Sequence, residues 1–465
     1  MNMESLRGHG SSVLVATVSS TFGVLLLQVI GALGVAIRAD DVTGSSGTAM
    51  LMLSICATVF MVIAIYVSAI VTSNTFATIV AGRTRTIALM RLIGASAASQ
   101  RRAIAREGLL VGALGAAAGA VVGTLIAVGL VRIAVMSRAL PELNYGYFDV
   151  SLLLPVIAVI ITTTLAAWVG SRRVLVVSPM QAIGGSTQRS FEEASSRART
   201  VFSIVLMVLG FGLLAAGVVI GLVSPFGILI ALAGGVVSFT GLILGSHLFM
   251  PVALRMVGRM LGRSASAKLA AENALRYPER SSRTTVGIVI GVTLITMFAV
   301  AMETFRSMMQ TMQEMNPEEL AGINAMLDAI VLIFTVLIGF SALIAAIGMV
   351  NNLSLSVLQR TRELGLLRAL GFTAHQIRSM IRAESAQLTF AAVIVGVLLG
   401  IGYGWAGAQS LLGAMPGIQG LVIPAVPWLL VVAVVVAAAV LTWAASVAPA
   451  RRAMTLSPVA ALAAD

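Results

Sequence analysis

The chain has 465 residues, 58% of them hydrophobic and only 10% charged, with a mean hydropathy of +1.02. Soluble domains carry about 25% charged residues, so a soluble enzyme or binding module is excluded. The net charge of +12 sits mostly in short stretches between apolar runs, which points to a membrane surface and away from nucleic acid.

Runs of roughly 20 apolar residues are long enough to cross a bilayer. The sequence predicts ten, over 13–37, 51–81, 107–135, 150–171, 201–222, 226–250, 284–306, 324–352, 384–412 and 427–448. The expected fold class is therefore all-α, a polytopic membrane protein. Met1 to His9 shows no small-residue cleavage site, so the first run is expected to stay as a helix. Ser224-Pro225 suits a tight turn between the fifth and sixth runs. Ser186 to Arg199, rich in Ser, Arg and Glu, reads as a linker.

With ten spans both ends share one side. That side receives 26 of the 30 Lys and Arg; only Arg38, Arg132, Arg138 and Arg306 fall elsewhere. The positive-inside rule makes the rich side cytoplasmic, so both termini are expected in the cytoplasm of a multi-pass cell-membrane protein. The loops on the opposite side are too short to hold a folded domain.

The chain also repeats itself. Arg83-Thr84-Arg85 returns 277 positions later as Arg360-Thr361-Arg362, and Leu89, Arg91, Gly94, Arg101 and Glu107 return as Leu366, Arg368, Gly371, Arg378 and Glu384. Arg172-Arg173 and Ser178-Pro179 return 279 positions later as Arg451-Arg452 and Ser457-Pro458. The predicted organisation is a four-helix unit over 1–183, a linker over 184–200 and a central two-helix hairpin over 201–250. A basic linker with an amphipathic entry helix over 251–283 and a second four-helix unit over 284–465 complete it.

Each repeated basic segment, 82–106 and 359–383, is expected to form two short helices broken at Gly94 and Gly371, since Gly past a helix end accepts a left-handed conformation. Thr373 with Gln376 fits a capping box; Ser96 with Ser99 fits a weaker cap. Lipid contact requires a charge pattern, but not the same residues at the same places. Their retention in both copies fits two similar docking partners.

Little else in the chain carries chemistry. Cys56 stands alone, and His9, His247 and His375 have no neighbours at ligand spacing, so no metal site is expected. The sole Lys, Lys268, lies between Ala267 and Leu269, so no P-loop exists. No catalytic residue is assigned. Glu107 and Glu384 open the third helix of each unit, where they fit both anchoring and relay of motion. Asn74 and Asn351 suit helix–helix hydrogen bonds. Glu303 and Arg306, one turn apart, with Asp328, fit a mutual pair or the border of an outer cavity. Gly115, Gly119 and Gly123, like Gly396, Gly400 and Gly404, recur every four residues, a spacing that lets helix backbones touch.

Arg360-Thr-Arg-Glu-Leu-Gly-Leu-Leu-Arg-Ala-Leu-Gly371, with Thr373-Ala-His-Gln-Ile377 after it, resembles the signature of FtsX/MacB-type permeases of ABC transporters. The tail Ala450-Arg451-Arg452 and Ser457-Pro458-Val459-Ala460-Ala461-Leu462 is similar to the family's closing motif. The first copy is looser, with Thr86 for Glu363 and Ala88 for Gly365. The resemblance implies two FtsX-like four-helix units around a central pair, in the ten-helix, BceB-like layout but without its large extracellular domain. It also implies that the repeated segments are coupling helices docking on ATP-binding subunits. The residues so assigned are Arg83, Thr84, Arg85, Arg91, Gly94, Arg360, Thr361, Arg362, Glu363, Gly365, Arg368 and Gly371. Two copies of a separate ATPase would bind ATP and Mg; membrane lipid is the other partner. Export or extraction of an amphipathic substrate follows from the resemblance. A signalling or scaffold complex of the FtsX kind, and a secondary transporter with internal repeats, are the alternatives.

Overall fold

The computed structural model describes residues 10–39, 47–82, 84–136, 140–147, 150–171, 192–260, 272, 278–315, 335, 338–339, 342–343, 370–414 and 420–440. Among the described residues every regular element is helical, and seven helices are long and apolar enough to cross a membrane. The predicted span 324–352 lies almost wholly outside the described residues, and the last part of 427–448 does too.

The chain divides into two units. The first comprises Met1–Glu193 with Pro317–Phe340. Its helices are α1 (Gly10–Ala39), α2 (Gly47–Gly82), α3 (Thr84–Leu92), α4 (Ala97–Met136) and α5 (Leu153–Gly170), the last entered through a 3-10 turn, Val150–Leu152. Helix α1 is its centre, packing against α4, α2 and α5. It buries Ala16, Val24 and Leu25 and also Ser12, Ser19, Ser20 and Gln28. At two of these positions a neighbouring element supplies a bond: Ser20 Oγ donates to the Ala116 carbonyl at 2.9 Å, and the Gln28 amide donates to Thr124 Oγ1 at 3.1 Å.

The second unit comprises Ala194–Asn316 with Ser341–Asp465. It contains α6 (Glu192–Gly221, all but its first two residues), α7 (Gly227–Leu244), α8 (Ser246–Met260), α9 (Pro278–Met315), α10 (Ala374–Leu412) and a shorter apolar helix α11 (Trp428–Val440). Helix α9 is the most buried of the candidate spans and pairs along its length with α10.

The glycine ladders fix both pairings. A Cβ at Gly119 would fall 2.6 Å from Ser20 Cβ of α1, and one at Gly396 would fall 2.8 Å from Val292 Cβ of α9. Only hydrogen at these positions permits such contact. The glycines lie 277 apart, whereas their neighbours Ser20 and Val292 lie 272 apart. Gly123 against Thr21 and Gly400 against Thr293 repeat the same two offsets. Helix α9 is thus the counterpart of α1, a relationship that their side chains do not display.

Three elements differ from expectation. The second short helix of each basic segment is absorbed into the spanning helix after it, so α4 starts at Ala97 and α10 at Ala374. No Pro or Gly separates Ala97 from Glu107, or Ala374 from Glu384, so nothing stops the helix. The sixth predicted run is broken at Gly245, with α8 following as a separate helix. The central hairpin also has a specific seat. Tyr403 of α10 stacks on Phe211 of α6, meets Phe239 of α7 edge-on, and shares a 2.8 Å hydrogen bond with Ser238.

Candidate functional site

The first basic segment is a short helix held against its own stem. Ile87 and Ala88 of α3 are buried against Ala97 and Ile104 of α4. The chain reverses between them at Gly94, whose φ of 100° is costly for any residue with a Cβ. The Ala95 amide donates to the Met90 carbonyl at 2.9 Å, the six-to-one bond that closes a helix end of this type. Helix α4 then starts at once: the Ser99 amide donates to Ser96 Oγ at 3.1 Å.

The second segment also turns at a glycine of positive φ. Gly371 has φ 93°. Thr373 and Gln376 form the full reciprocal box, with the Gln376 amide donating to Thr373 Oγ1 at 3.2 Å and the Thr373 amide to Gln376 Oε1 at 2.9 Å. Both glycine turns and both caps, including their unequal strength, match expectation.

Burying Ile87 and Ala88 leaves the opposite side of α3 open. Leu89, Met90 and Leu92 are exposed, and Ile93 is 80% exposed. In the second copy Leu370, counterpart of Ile93, is 70% exposed. Thr84, Arg85 and Arg91 lie on α3. Arg83, Arg360, Thr361, Arg362, Glu363, Gly365 and Arg368 lie outside the described residues.

From each turn a single uninterrupted helix carries on into the apolar layer. Helix α4 has 40 residues and α10 has 39, so each is ~60 Å long at 1.5 Å per residue. That exceeds the ~30 Å hydrocarbon core, so each protrudes as a rigid stem. Arg101, Arg102 and Arg106 lie on the first stem, and His375, Arg378 and Arg382 on the second. Glu107 is half-buried at the base of the first, and Glu384 is buried at the base of the second. Both carboxylates take part in interactions.

The first stem is also braced sideways. Arg101 donates to the carbonyl of Trp168 at 3.2 Å and to Ser171 Oγ at 3.4 Å, with its guanidinium over the Trp168 ring. Charge at a helix C-terminus is favoured, and the cation–π contact adds to it. This strut was not foreseen: Arg101 was visible as a repeated residue, but its partner is not repeated, since Val447 stands at the position of Trp168.

At the far end of each unit a polar side chain holds the loop leading to the fourth helix. Gln28 of α1 donates to the Tyr147 carbonyl at 3.1 Å. In the second unit Thr304 of α9 accepts from the Ala425 amide at 3.2 Å, Gln409 accepts from the Val422 amide at 2.9 Å, and Trp405 donates to the Val422 carbonyl at 2.6 Å. Tyr145 is buried, with its hydroxyl donating to the Pro141 carbonyl. Glu303 is half-buried and Arg306 exposed on α9, while Asp328 lies outside the described residues. Asn351 and the side chain of Asn74 also lie outside them. Among the described residues no group of three or more His, Cys, Asp or Glu is placed to hold a metal ion.

Comparison with known proteins agrees with the repeat. A family model described as the FtsX-like permease C-terminal matches residues 58–179 and 335–458. The starts of these segments are 277 apart and their ends 279 apart, the same two offsets that relate the basic segments and the tails. The chain is similar to an uncharacterized ABC transporter permease of Bacillus subtilis, YknZ, at 34% identity over 151 residues, or 32% of this chain and 36% of that protein. It is similar to a second ABC transporter permease of that organism, YtrF, at 35% identity over 86 residues, 18% of this chain and 19% of that protein. The matched parts thus cover about a third or less of these relatives. The family model covers more than half of the chain in two segments, each containing one basic segment and the long third helix after it, and the protein belongs to the FtsX-like permease family.

Proposed function

We propose that this chain is the membrane subunit of an ABC transporter, worked by a separate ATPase dimer that docks on the two basic segments. The observation that carries this reading is the form of the elbow. One face of α3 is buried on its own stem and the other, Leu89, Met90, Leu92 and Ile93, is left open. An open apolar face on an arginine-bearing helix, outside the apolar layer, suits a protein partner. The repeat of this basic segment in the sequence suits two copies of one ATPase, which would bind the ATP and Mg that this chain has no motif to hold.

The mechanism follows from the stems. Closure of the ATPase dimer pushes on the elbows. The tight turns at Gly94 and Gly371 lead straight into α4 and α10, so displacement passes to the third helix of each unit without an intervening joint. Those helices pack closely on α1 and α9 through glycine, so their movement is passed on to α1 and α9. Glu107 and Glu384 lie where each stem enters the apolar layer and act as relays. The basic side faces the cytoplasm of the cell membrane, with both termini there. The cargo is an amphipathic molecule, a peptide, antibiotic or lipid, taken from the bilayer and exported.

Affinity purification of the tagged chain from its own membranes tests the proposal. A stoichiometric ATP-binding subunit is expected, and Arg85→Glu with Arg362→Glu should release it. Absence of that subunit, or attachment unaffected by the double reversal, overturns the reading. Cargo-stimulated ATP hydrolysis in nanodiscs then distinguishes transport from signalling.

A further inference from the structure

Helix α8, over the end of the sixth predicted run and the start of the predicted basic linker, is not among the helices long and apolar enough to cross a membrane. Helix α7 has 18 residues, ~27 Å at 1.5 Å per residue, close to the ~30 Å of a hydrocarbon core. Gly245 therefore falls at one membrane surface, and α8 begins there. Its packing agrees: α8 contacts α10 and α9 and meets α7 only slightly.

At 100° per residue, three ridges along α8 differ in character. Ser246, Met250, Leu254 and Val257 are buried against the protein. The Leu254 carbonyl accepts a 2.9 Å bond from the buried amide of Gln387 in α10, which pins this face inward. A second ridge, Val252, Met256 and Met260, is 51%, 63% and 81% exposed. Arg255 and Arg259, also exposed, stand side by side along the third. The helix carries no acidic residue.

We propose that α8 is an interfacial helix that binds anionic phospholipid, with Arg255 and Arg259 holding the headgroup phosphate and Val252, Met256 and Met260 seated among the acyl chains. Charge complementarity selects the occupant: two arginines without a carboxylate, on a chain of net charge +12, face a surface of negative lipid. Continuity selects it too, since α8 begins directly after α7, a helix long and apolar enough to cross a membrane, and a basic edge beside an apolar ridge is the pattern of helices lying in the interface. Arginine is suited to the phosphate because its planar fork gives paired hydrogen bonds. The inference depends on membrane placement and not on the identity of any motor.

Native mass spectrometry of the full chain released from nanodiscs of equal phosphatidylglycerol and phosphatidylcholine provides the test. The wild type is expected to retain phosphatidylglycerol preferentially. Arg255→Gln with Arg259→Gln should lower that retention at least about threefold, while Arg255→Lys with Arg259→Lys should keep most of it, since charge supplies the larger part of the attraction. Arg102→Gln with Arg106→Gln removes the same charge from the first stem and should leave retention unchanged. No headgroup preference in the wild type overturns the proposal. So does an equal loss in the stem variant, or loss of a copurifying protein from the α8 variant with lipid unchanged. Raising the salt concentration on the wild type must also lower retention, a readout that needs no variant.

Discussion

The guanidinium of Arg101 lies 4.3 Å from the centre of the Trp168 ring, and the same side chain donates to the Trp168 carbonyl. One residue of the first stem is thereby fastened to the end of the fourth helix of its unit by charge, by a hydrogen bond and by stacking. The end of α5 is capped internally as well, with Ser171 Oγ donating to that carbonyl at 2.7 Å. Arg101→Ala should cost about 1–2 kcal/mol, the sum of a cation–π contact and a charge-assisted bond at a partly exposed site. Arg101→Lys keeps the charge and loses the planar fork, so it should recover less than half. Thermal unfolding in nanodiscs measures both, and Trp168→Leu should reproduce most of the alanine effect. A lysine variant as stable as wild type would show that the geometry of the fork contributes nothing.

Helix α10 contains its own control for the glycine contact. A Cβ at Gly400 would meet Thr296 Cβ at 2.5 Å, while one at Gly402 would meet nothing within 4 Å. Gly400→Ala should therefore force α9 and α10 apart and cost about 1–3 kcal/mol. Gly402→Ala should be neutral or stabilise by up to about 1 kcal/mol, because alanine is the better helix former. Equal effects at the two positions in a denaturation series would contradict the close approach.

The elbows were legible because their chemistry is local. A glycine turn, a cap three residues long and a run of arginines are each specified within a few positions, and Gly94, Gly371, Thr373 and Gln376 behave as their spacing requires. The kinship of α1 and α9 was not legible, because it is expressed in what they touch. Ser20 and Val292 share nothing as side chains, yet each receives the same glycine of the repeat. The seat of the central hairpin was hidden for the opposite reason. It rests on Tyr403, which departs from the repeat, with Ile126 standing 277 positions earlier. Repetition drew the eye to what the halves share, whereas this contact distinguishes them. The stems were misjudged in length because charge at Arg101 and Arg378 suggested a separate surface helix, although nothing in either segment ends a helix.

The two caps predict unequal fraying. Thr373 and Gln376 satisfy two otherwise orphaned amides, whereas Ser96 accepts from the Ser99 amide alone among the cap bonds seen there. Thr373→Ala should cost about 1 kcal/mol, read as a roughly fivefold loss of amide exchange protection over residues 374–380. Ser96→Ala should cost less over 97–103. Gln376→Ala should fall between Thr373→Ala and wild type, since it removes one half of the box. The reverse order for Thr373 and Ser96 would mean that the stems are held by their packing and not by their caps.

Among the described residues, Tyr145 gives the one pH dependence with a clear sign. It lies in the loop between α4 and α5, outside both spans. Burial first, and the neighbouring Tyr147 second, hold its phenol above the ordinary value of 10.0. A group whose acid form is favoured by folding contributes stability that is fully present below the unfolded pKa. That contribution is lost as pH rises through the higher folded value, because the buried phenolate is disfavoured. The chain should therefore lose stability from about pH 10 upward. Tyr145→Phe should flatten this alkaline slope while costing about 1 kcal/mol at neutral pH, where the 2.7 Å bond to Pro141 disappears. Denaturation midpoints measured between pH 8 and about 11.5 would show it, and a slope unchanged in the phenylalanine variant would assign the alkaline loss to another group.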